Sequence, residues 1–531
     1  MAFFLPSHYR CHFALLTGLG ALLASVGVQA TTLTIANGAE PGTLDPQQKN
    51  GTWEARIDEA LFTPLLTYDA RGKLVPGLAD HWEVSQDGLH YTFHLRNASW
   101  SDGQPITAED AAFALRREVT PATAAFNANV YYAIQNAEAI NRGKLPVQRL
   151  GVKATDAHTL TITLEHPDPS LLSALAMVDS APLPAHYLKA HPKGWVKAGQ
   201  LVTSGPFTLA EWQPQDFIKL KRNPHFYAAD QVKLDEVIVS PIDDPNAALN
   251  RFRTGQFDIS YTGIPNGQLA SLKRTLGTQV KVAPLLGEYY YLFNVRKSSV
   301  LRDKRIREAL NLAVRRDIIT DRIVREGDRP SLSFIPKAMS GGTRGEMPFA
   351  HMPMEKRLAK ARALLKEAGY GPDHPLKLDI AYNTLASHRQ IAIAVSAMWR
   401  RIGVNTTLTN RDAAVHFGTL RSGRFQVGRA GLVATIDNPN NLLEVFKTNN
   451  ASNYAGYSNP DFDREVTAAG REIDPAKRAQ LLTQAQQTLL DDYALLPIYD
   501  YVSLNLVSNR VKGWHTNPLD VHPLRYLSVS D

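Results

Sequence analysis

Residues 76–110 read Pro76-Gly-Leu-Ala-Asp-His-Trp-Glu-Val-Ser-Gln-Asp-Gly-Leu-His-Tyr-Thr-Phe-His-Leu-Arg96, then Asn97-Ala-Ser, then Trp100-Ser-Asp-Gly-Gln-Pro-Ile-Thr-Ala-Glu-Asp110. Tyr91 to Leu95 alternates apolar and polar side chains and predicts a half-buried strand. Ser101-Asp-Gly103 reads as a turn. Thr107 is followed three residues on by Asp110, the spacing of a capping box with Asp in place of Glu, and predicts a helix from Ala108 to Arg117.

Outward from this block, Thr32 to Ala36 and Leu160 to Leu164 alternate in the same way and read as strands. Gly42 to Pro46 reads as a loop, and Trp53 to Leu66 has helical spacing. The later text changes character. Helices are expected over Glu355–Ala368, closed by Gly369, over Ser387–Ile402, closed by Gly403, and over Asp474–Leu490. Strands are expected over Leu376–Ala381, Val404–Leu408, Phe425–Gly428 and Leu495–Tyr499. Such alternation predicts an α/β chain of mixed α+β type, with a parallel or mixed sheet and crossover helices. No repeat of 20–50 residues occurs.

At 531 residues the chain is long enough for two to four domains. It is 44% hydrophobic and 21% charged, so it is globular rather than disordered or fibrous. The net charge of +7 is dispersed and forms no basic stripe, which argues against a nucleic-acid partner. Arg10, the apolar stretch Phe13 to Val28 and Val28-Gln-Ala30 form an export signal with cleavage expected after Ala30. The only cysteine, Cys11, precedes the apolar stretch, so no lipid anchor is expected. The exported chain then carries 57 basic and 51 acidic residues, a net +6, and no thiol. Disulfides, thiolate metal sites and a cysteine nucleophile are excluded together.

Signatures of zinc peptidases, P-loops, nucleophile elbows and dinucleotide-binding loops are absent from the text. His90 and His94 share a strand face, and the pairs Asp243-Asp244 and Asp491-Asp492 are adjacent. Each is read as a surface, loop or cap feature, and no catalytic residue, metal or cofactor is assigned.

The 76–110 block resembles the signature of the dipeptide/oligopeptide family of extracellular solute-binding proteins of ABC importers. Further matches follow in family order: Gly42-Thr-Leu-Asp-Pro46, Thr203-Ser-Gly-Pro-Phe207, Asn250 to Asp258, Tyr289-Tyr-Tyr291 with Asn294, Ala368-Gly-Tyr370, Phe425 to Gly431 and Leu496-Pro-Ile-Tyr499. They span essentially all of residues 32–531 and are most similar to the oligopeptide-binding branch. The resemblance implies the two-lobed periplasmic-binding-protein fold, type II, with an extra domain. One lobe would comprise 31–62, 183–286 and 503–531, the extra domain 63–182, and the second lobe 287–502. It implies a monomer in the periplasm that encloses a peptide or peptide-like ligand between hinged lobes, without catalysis, and delivers it to an inner-membrane ABC permease.

By the same resemblance Arg429, with Ala430 and Gly431, Arg421, His388, Tyr290 and Tyr501 line the cleft, and Asn50 and Gly51 touch the ligand backbone. Arg429 follows the short strand Phe425–Gly428 and precedes a loop, a strand-end position. Departures from the family pattern stand beside these matches. The aspartate that fixes the ligand ammonium in this branch is Thr435 here, with Asp437 as a possible substitute two residues on. Two family tryptophans are Leu432 and Ala413, and the family cysteine pair is Gly287 and Val433. Modified or cell-wall peptides and a non-peptide amphiphile are therefore alternative ligands, and a periplasmic hydrolase and a holding chaperone are alternative functions on the same scaffold.

Overall fold

The structure, a computed structural model, describes residues 30–49, 51–191, 194–296, 299–341 and 345–530. The predicted export signal, apart from Ala30, lies outside them. Among the described residues no helix is long and apolar enough to cross a membrane.

Fourteen strands and six helices carry the argument. In chain order the strands are β1 Thr32–Ala36, β2 Ala79–Val84, β3 His90–Leu95, β4 Val152–Ala154, β5 Thr159–Thr163, β6 Phe207–Gln213, β7 Phe217–Arg222, β8 Glu236–Ser240, β9 Ile259–Ser260, β10 Val280–Phe293, β11 Leu376–Asn383, β12 Val404–Arg411, β13 Val427–Val433 and β14 Leu495–Val507. The helices are α1 Thr52–Leu61, α2 Ala108–Val119, α3 Met354–Glu367, α4 Ala386–Arg400, α5 Ala413–Arg421 and α6 Pro475–Asp491.

The alternating stretches fold as read. In β1, Leu33 and Ile35 are buried between half-buried threonines, and in β5 Leu160 and Ile162 are fully buried. The Asp110 carboxylate accepts the Thr107 amide at 2.9 Å at the start of α2, whose last turn carries Arg116 and Arg117 against the helix dipole. After α3 and α4, Gly369 and Gly403 take left-handed φ values of 90° and 85°, which stop each helix. The Asp244 side chain accepts the Ala247 amide at 2.7 Å, so this carboxylate is a helix cap, as expected for the 243–244 pair. His94 stacks on His81 across the β2–β3 ladder, with centroids 4.4 Å apart.

Three expectations are corrected. The helix read over Trp53–Leu66 ends at Leu61: Phe62 is already extended, Pro64 follows, and Leu66 pairs with Pro76 in a short hairpin. The strand read over Phe425–Gly428 is β13, and it runs on to Val433, so Arg429 sits within a strand. The strand read over Leu495–Tyr499 continues as β14 to Val507.

One eleven-stranded sheet runs in the order β12-β11-β13-β10-β14-β9-β1-β8-β7-β6, with Arg329–Pro330 pairing off that path against β14. The ladder is mixed: β11 runs parallel to β12 and β13, β1 runs parallel to β8, and β10 lies antiparallel between β13 and β14. A separate four-stranded sheet has the order β2-β3-β5-β4.

The apolar side chains gather into three large cores. One is drawn from Leu33–Phe62, Val178–Ile259 and Val507–Leu527 with Ala114, one from Leu65–Met177 with Ile436, and one from Leu286–Tyr499. The long strands β10 and β14 pass between cores. Val280 and Leu506 pack with Leu249 and Leu272, whereas Leu286–Phe293 and Leu495–Leu496 belong to the last large core. Between those stretches the β10–β14 ladder loses register, from Pro284 opposite Val502 to Glu288 opposite Asp500.

Candidate binding site around Arg429

β13 lies antiparallel to β10, with Arg429 directly opposite Tyr291 and Gly431 opposite Tyr289. Cross-strand partners share a face, so Arg429 joins Tyr289 and Tyr291, and Tyr290 is turned to the other side. The Arg429 guanidinium sits 4.7 Å from the centre of the Tyr289 ring. Its Nη2 donates to the Tyr501 hydroxyl at 2.8 Å and its Nη1 to Asn383 Oδ1 at 3.3 Å. Tyr289 in turn stacks on Tyr499 at 4.8 Å.

Arg429 is only 8% exposed, and among the described residues no carboxylate is one of its partners. Burial works to lower its pKa, and the oxygens of Tyr501, Tyr289 and Tyr499 carry it above its ordinary value. A buried cation without a counter-ion is costly, so this geometry favours an incoming anion.

Two histidines complete the arrangement. His388 is buried near the start of α4. Its Nδ1 lies 3.1 Å from the Asn383 carbonyl, and burial and the nearby Arg429 charge push its pKa down to about 4. His416, on α5, is fully buried and holds the Arg429 carbonyl from Nε2 at 2.8 Å. That bond requires the proton on Nε2. These four contacts fix the arginine in backbone and side chain.

The edge of β13 away from β10 is only partly covered. β11 pairs with it as far as Gly428, and His416 takes the Arg429 carbonyl. The Ala434 amide donates to Leu286 across the ladder, so even-numbered residues of β13 bond to β10 and odd-numbered ones face away. Among the described strands none pairs with the outward groups of Gly431 and Val433. A Cβ on Gly431 would lie 2.5 Å from the Tyr501 hydroxyl and 3.1 Å from Arg429 Nη2, so a side chain there must displace the tyrosine.

The other predicted residues are spread more widely. Tyr501 is in the group and Ala430 is buried beside it on β13. Tyr290, on the face of β10 opposite Tyr289, packs edge-on to Phe334 at 5.3 Å and near Phe446, and its hydroxyl still feels Tyr501 and Arg429. Arg421 is exposed at the end of α5 and makes no contact with the Arg429 group among the described residues. Thr435 is exposed, and Asp437 Oδ1 accepts the Ser340 amide at 2.7 Å. Gly51 caps α1, its amide held by Glu54 Oε2 at 3.0 Å. Asn50 lies outside the described residues. Gly287 and Val433 are direct cross-strand partners.

Sequence reading missed Tyr289, Tyr499, Asn383 and His416. The signal for Tyr289 was present, since alternation in Tyr289-Tyr-Tyr291 sends only the odd-numbered rings to the arginine face. Among the described residues no cluster of three or more His, Cys, Asp or Glu side chains could hold a metal.

The family description for bacterial extracellular solute-binding proteins, family 5 (middle), matches residues 73–454. This chain belongs to that family. It is 36% identical to the periplasmic oligopeptide-binding protein OppA of Escherichia coli (strain K12), over 96% of this chain and 95% of that one. It is 34% identical to the periplasmic murein peptide-binding protein MppA of the same strain, covering 91% and 90%. The crystal structure of Haemophilus influenzae OppA in complex with the peptide RPPGFSPFR superposes with a TM-score of 0.80 at 34% identity, covering 94% of this chain and 99% of that one. The fold is thus the two-lobed periplasmic-binding-protein fold with an extra domain, as the resemblance implied.

Proposed function

We propose that this chain is the periplasmic receptor of an ABC importer and takes a peptide or peptide-like ligand as an added strand along Gly431–Val433. The ligand's carboxylate meets Arg429, and the loaded receptor delivers its cargo to a membrane permease. The observation that carries this reading is a buried guanidinium with no counter-ion among the described residues, beside a backbone edge that no described strand covers. An extended peptide matches both, offering amides to the edge and a carboxylate to the arginine. The relatives named above support the ligand class.

The three large cores support two lobes and an extra domain, hinged where β10 and β14 pass between cores. Ligand contacts shared by both lobes would favour closure. The receptor works as a monomer, binds without cleaving, and is exported by cleavage after Ala30. Thr435 carries no charge and the Asp437 carboxylate is engaged by Ser340, so a free ligand ammonium finds no ready anchor on this loop. Peptides whose amine is blocked or engaged elsewhere fit the site better.

Calorimetry with trialanine and N-acetyl-trialanine tests the reading. Arg429→Ala is expected to weaken binding by about 30-fold or more, as for truncation of a buried hydrogen-bonded charge pair, while the protein stays folded. Unchanged affinity would remove Arg429 from the site. Mass spectrometry of the peptides after incubation should show them intact, and cleavage products would make the protein an enzyme.

A further inference from the structure

Ile436 stands apart from its neighbours in sequence. It is 1% exposed, yet every other member of the core that buries it lies between Leu65 and Met177. The residues on either side belong elsewhere: Gly431 and Val433 are on β13, and Asn438 begins a short helix in the chain that runs on to α6. One side chain from the span of the last large core thus plugs a core assembled from a separate stretch of chain.

Further contacts surround the plug on the same two bodies. Asp437 lies close enough to Tyr68 to act, after burial and Glu59, in raising its phenol to about 12. A Cβ on Gly88 would meet Ile473 at 3.2 Å and Pro167 at 3.3 Å. Asp168 acts on both Glu444 and Arg478. Ile473 remains largely exposed. An apolar plug in a rim of mixed polar and apolar groups is a contact that can be made and broken at modest cost.

We infer that Ile436 is a latch: it seats in the 65–177 core when the two bodies close and withdraws when they open. The inference rests on the receptor reading for the value of closure, and on geometry alone for the plug itself. β13 offers its edge to the ligand at Gly431 and Val433, and the chain reaches the plug three residues later. Strand addition and seating of Ile436 are therefore steps of one continuous segment. Burial of the isoleucine biases the ligand-free protein toward closure by roughly 10- to 150-fold and leaves less of the work to ligand contacts.

The sequence makes the test clean, because Cys11 is its only cysteine. In a Cys11→Ser background, Ile436→Cys carries a single thiol, whose reaction with N-ethylmaleimide reports withdrawal of residue 436. Without ligand, labelling is expected to be at least about 10-fold slower than in urea-unfolded protein and at least about 10-fold faster than global unfolding measured under the same conditions. Ile436→Ala, read by small-angle scattering without ligand, is expected to enlarge the radius of gyration relative to the parent. Labelling at the unfolded-chain rate would mean that the plug is never seated. Labelling only at the global unfolding rate, together with an unchanged radius for Ile436→Ala, would make Ile436 an ordinary core residue. Either result overturns the latch. Both measurements need no ligand, so a failure of trialanine and N-acetyl-trialanine to bind counts against the peptide reading and leaves the latch to these outcomes.

Discussion

The glycine at 431 is a residue whose absence of a side chain has a definite cause. The Tyr501 hydroxyl and the Arg429 guanidinium close over its Cα, so Gly431→Ala must displace one of them. Overpacking of this kind costs about 1–3 kcal/mol, and here the displaced groups are those that present the cation. Gly431→Ala is expected to weaken binding of N-acetyl-trialanine by about 10-fold or more, with a smaller loss in the urea midpoint. A variant that binds as the parent does would mean that the Tyr501–Arg429 pairing has no part in recognition. Arg429 itself was legible only through family resemblance, since nothing in Gly428-Arg-Ala-Gly431 announces a buried cation. Its tyrosine partners come from β10 and β14, more than 70 residues away in each direction.

At the scale of the element, caps were easier to read than strand ends. The α2 helix has its capping carboxylate three residues after Thr107, and α3 and α4 have their terminating glycines, so local chemistry fixed them. β13 was read too short because Gly428 and Gly431 interrupt the apolar pattern. It stays extended because β10 supplies a ladder along its whole length. Beyond Ala434, whose amide makes the last bond to β10, the chain turns out through exposed Thr435. A carboxylate at this position would stand free of Ser340, unlike Asp437. Thr435→Asp is therefore expected to favour trialanine over N-acetyl-trialanine by about 10-fold relative to the parent, compared by calorimetry. An equal response to the two peptides would mean that the ligand amine lies elsewhere.

Across the whole molecule, the 65–177 core and the core containing α1 meet over an acidic seam. Lys49 pairs with Asp179 at 2.8 Å, while Asp58 and Glu118 are fully buried and no donor reaches their oxygens among the described residues. Burial, then Asp179, pushes the Glu118 pKa up to about 9. The folded protein therefore keeps a proton on Glu118 that the unfolded chain has lost above about 4.3. Stability from this group is greatest below that value and declines as pH rises toward 9. Glu118→Gln is expected to flatten the decline between pH 5 and 9, read as urea midpoints. Equal slopes in parent and variant would mean that Glu118 titrates alike in both states.

The alternation of Thr32 to Ala36, the Thr107–Asp110 spacing, the glycine stops and the single early cysteine were determined by the sequence alone. Each depends on residues within a turn or a strand of one another, and the family block at 76–110 tied them to a two-lobed fold. The tertiary structure decided which tyrosine meets Arg429, how far β13 runs, and that Ile436 leaves its own stretch of chain for another core. Those outcomes depend on which strand lies alongside and which face it covers, and burial and pairing between distant segments are not encoded in any local spacing.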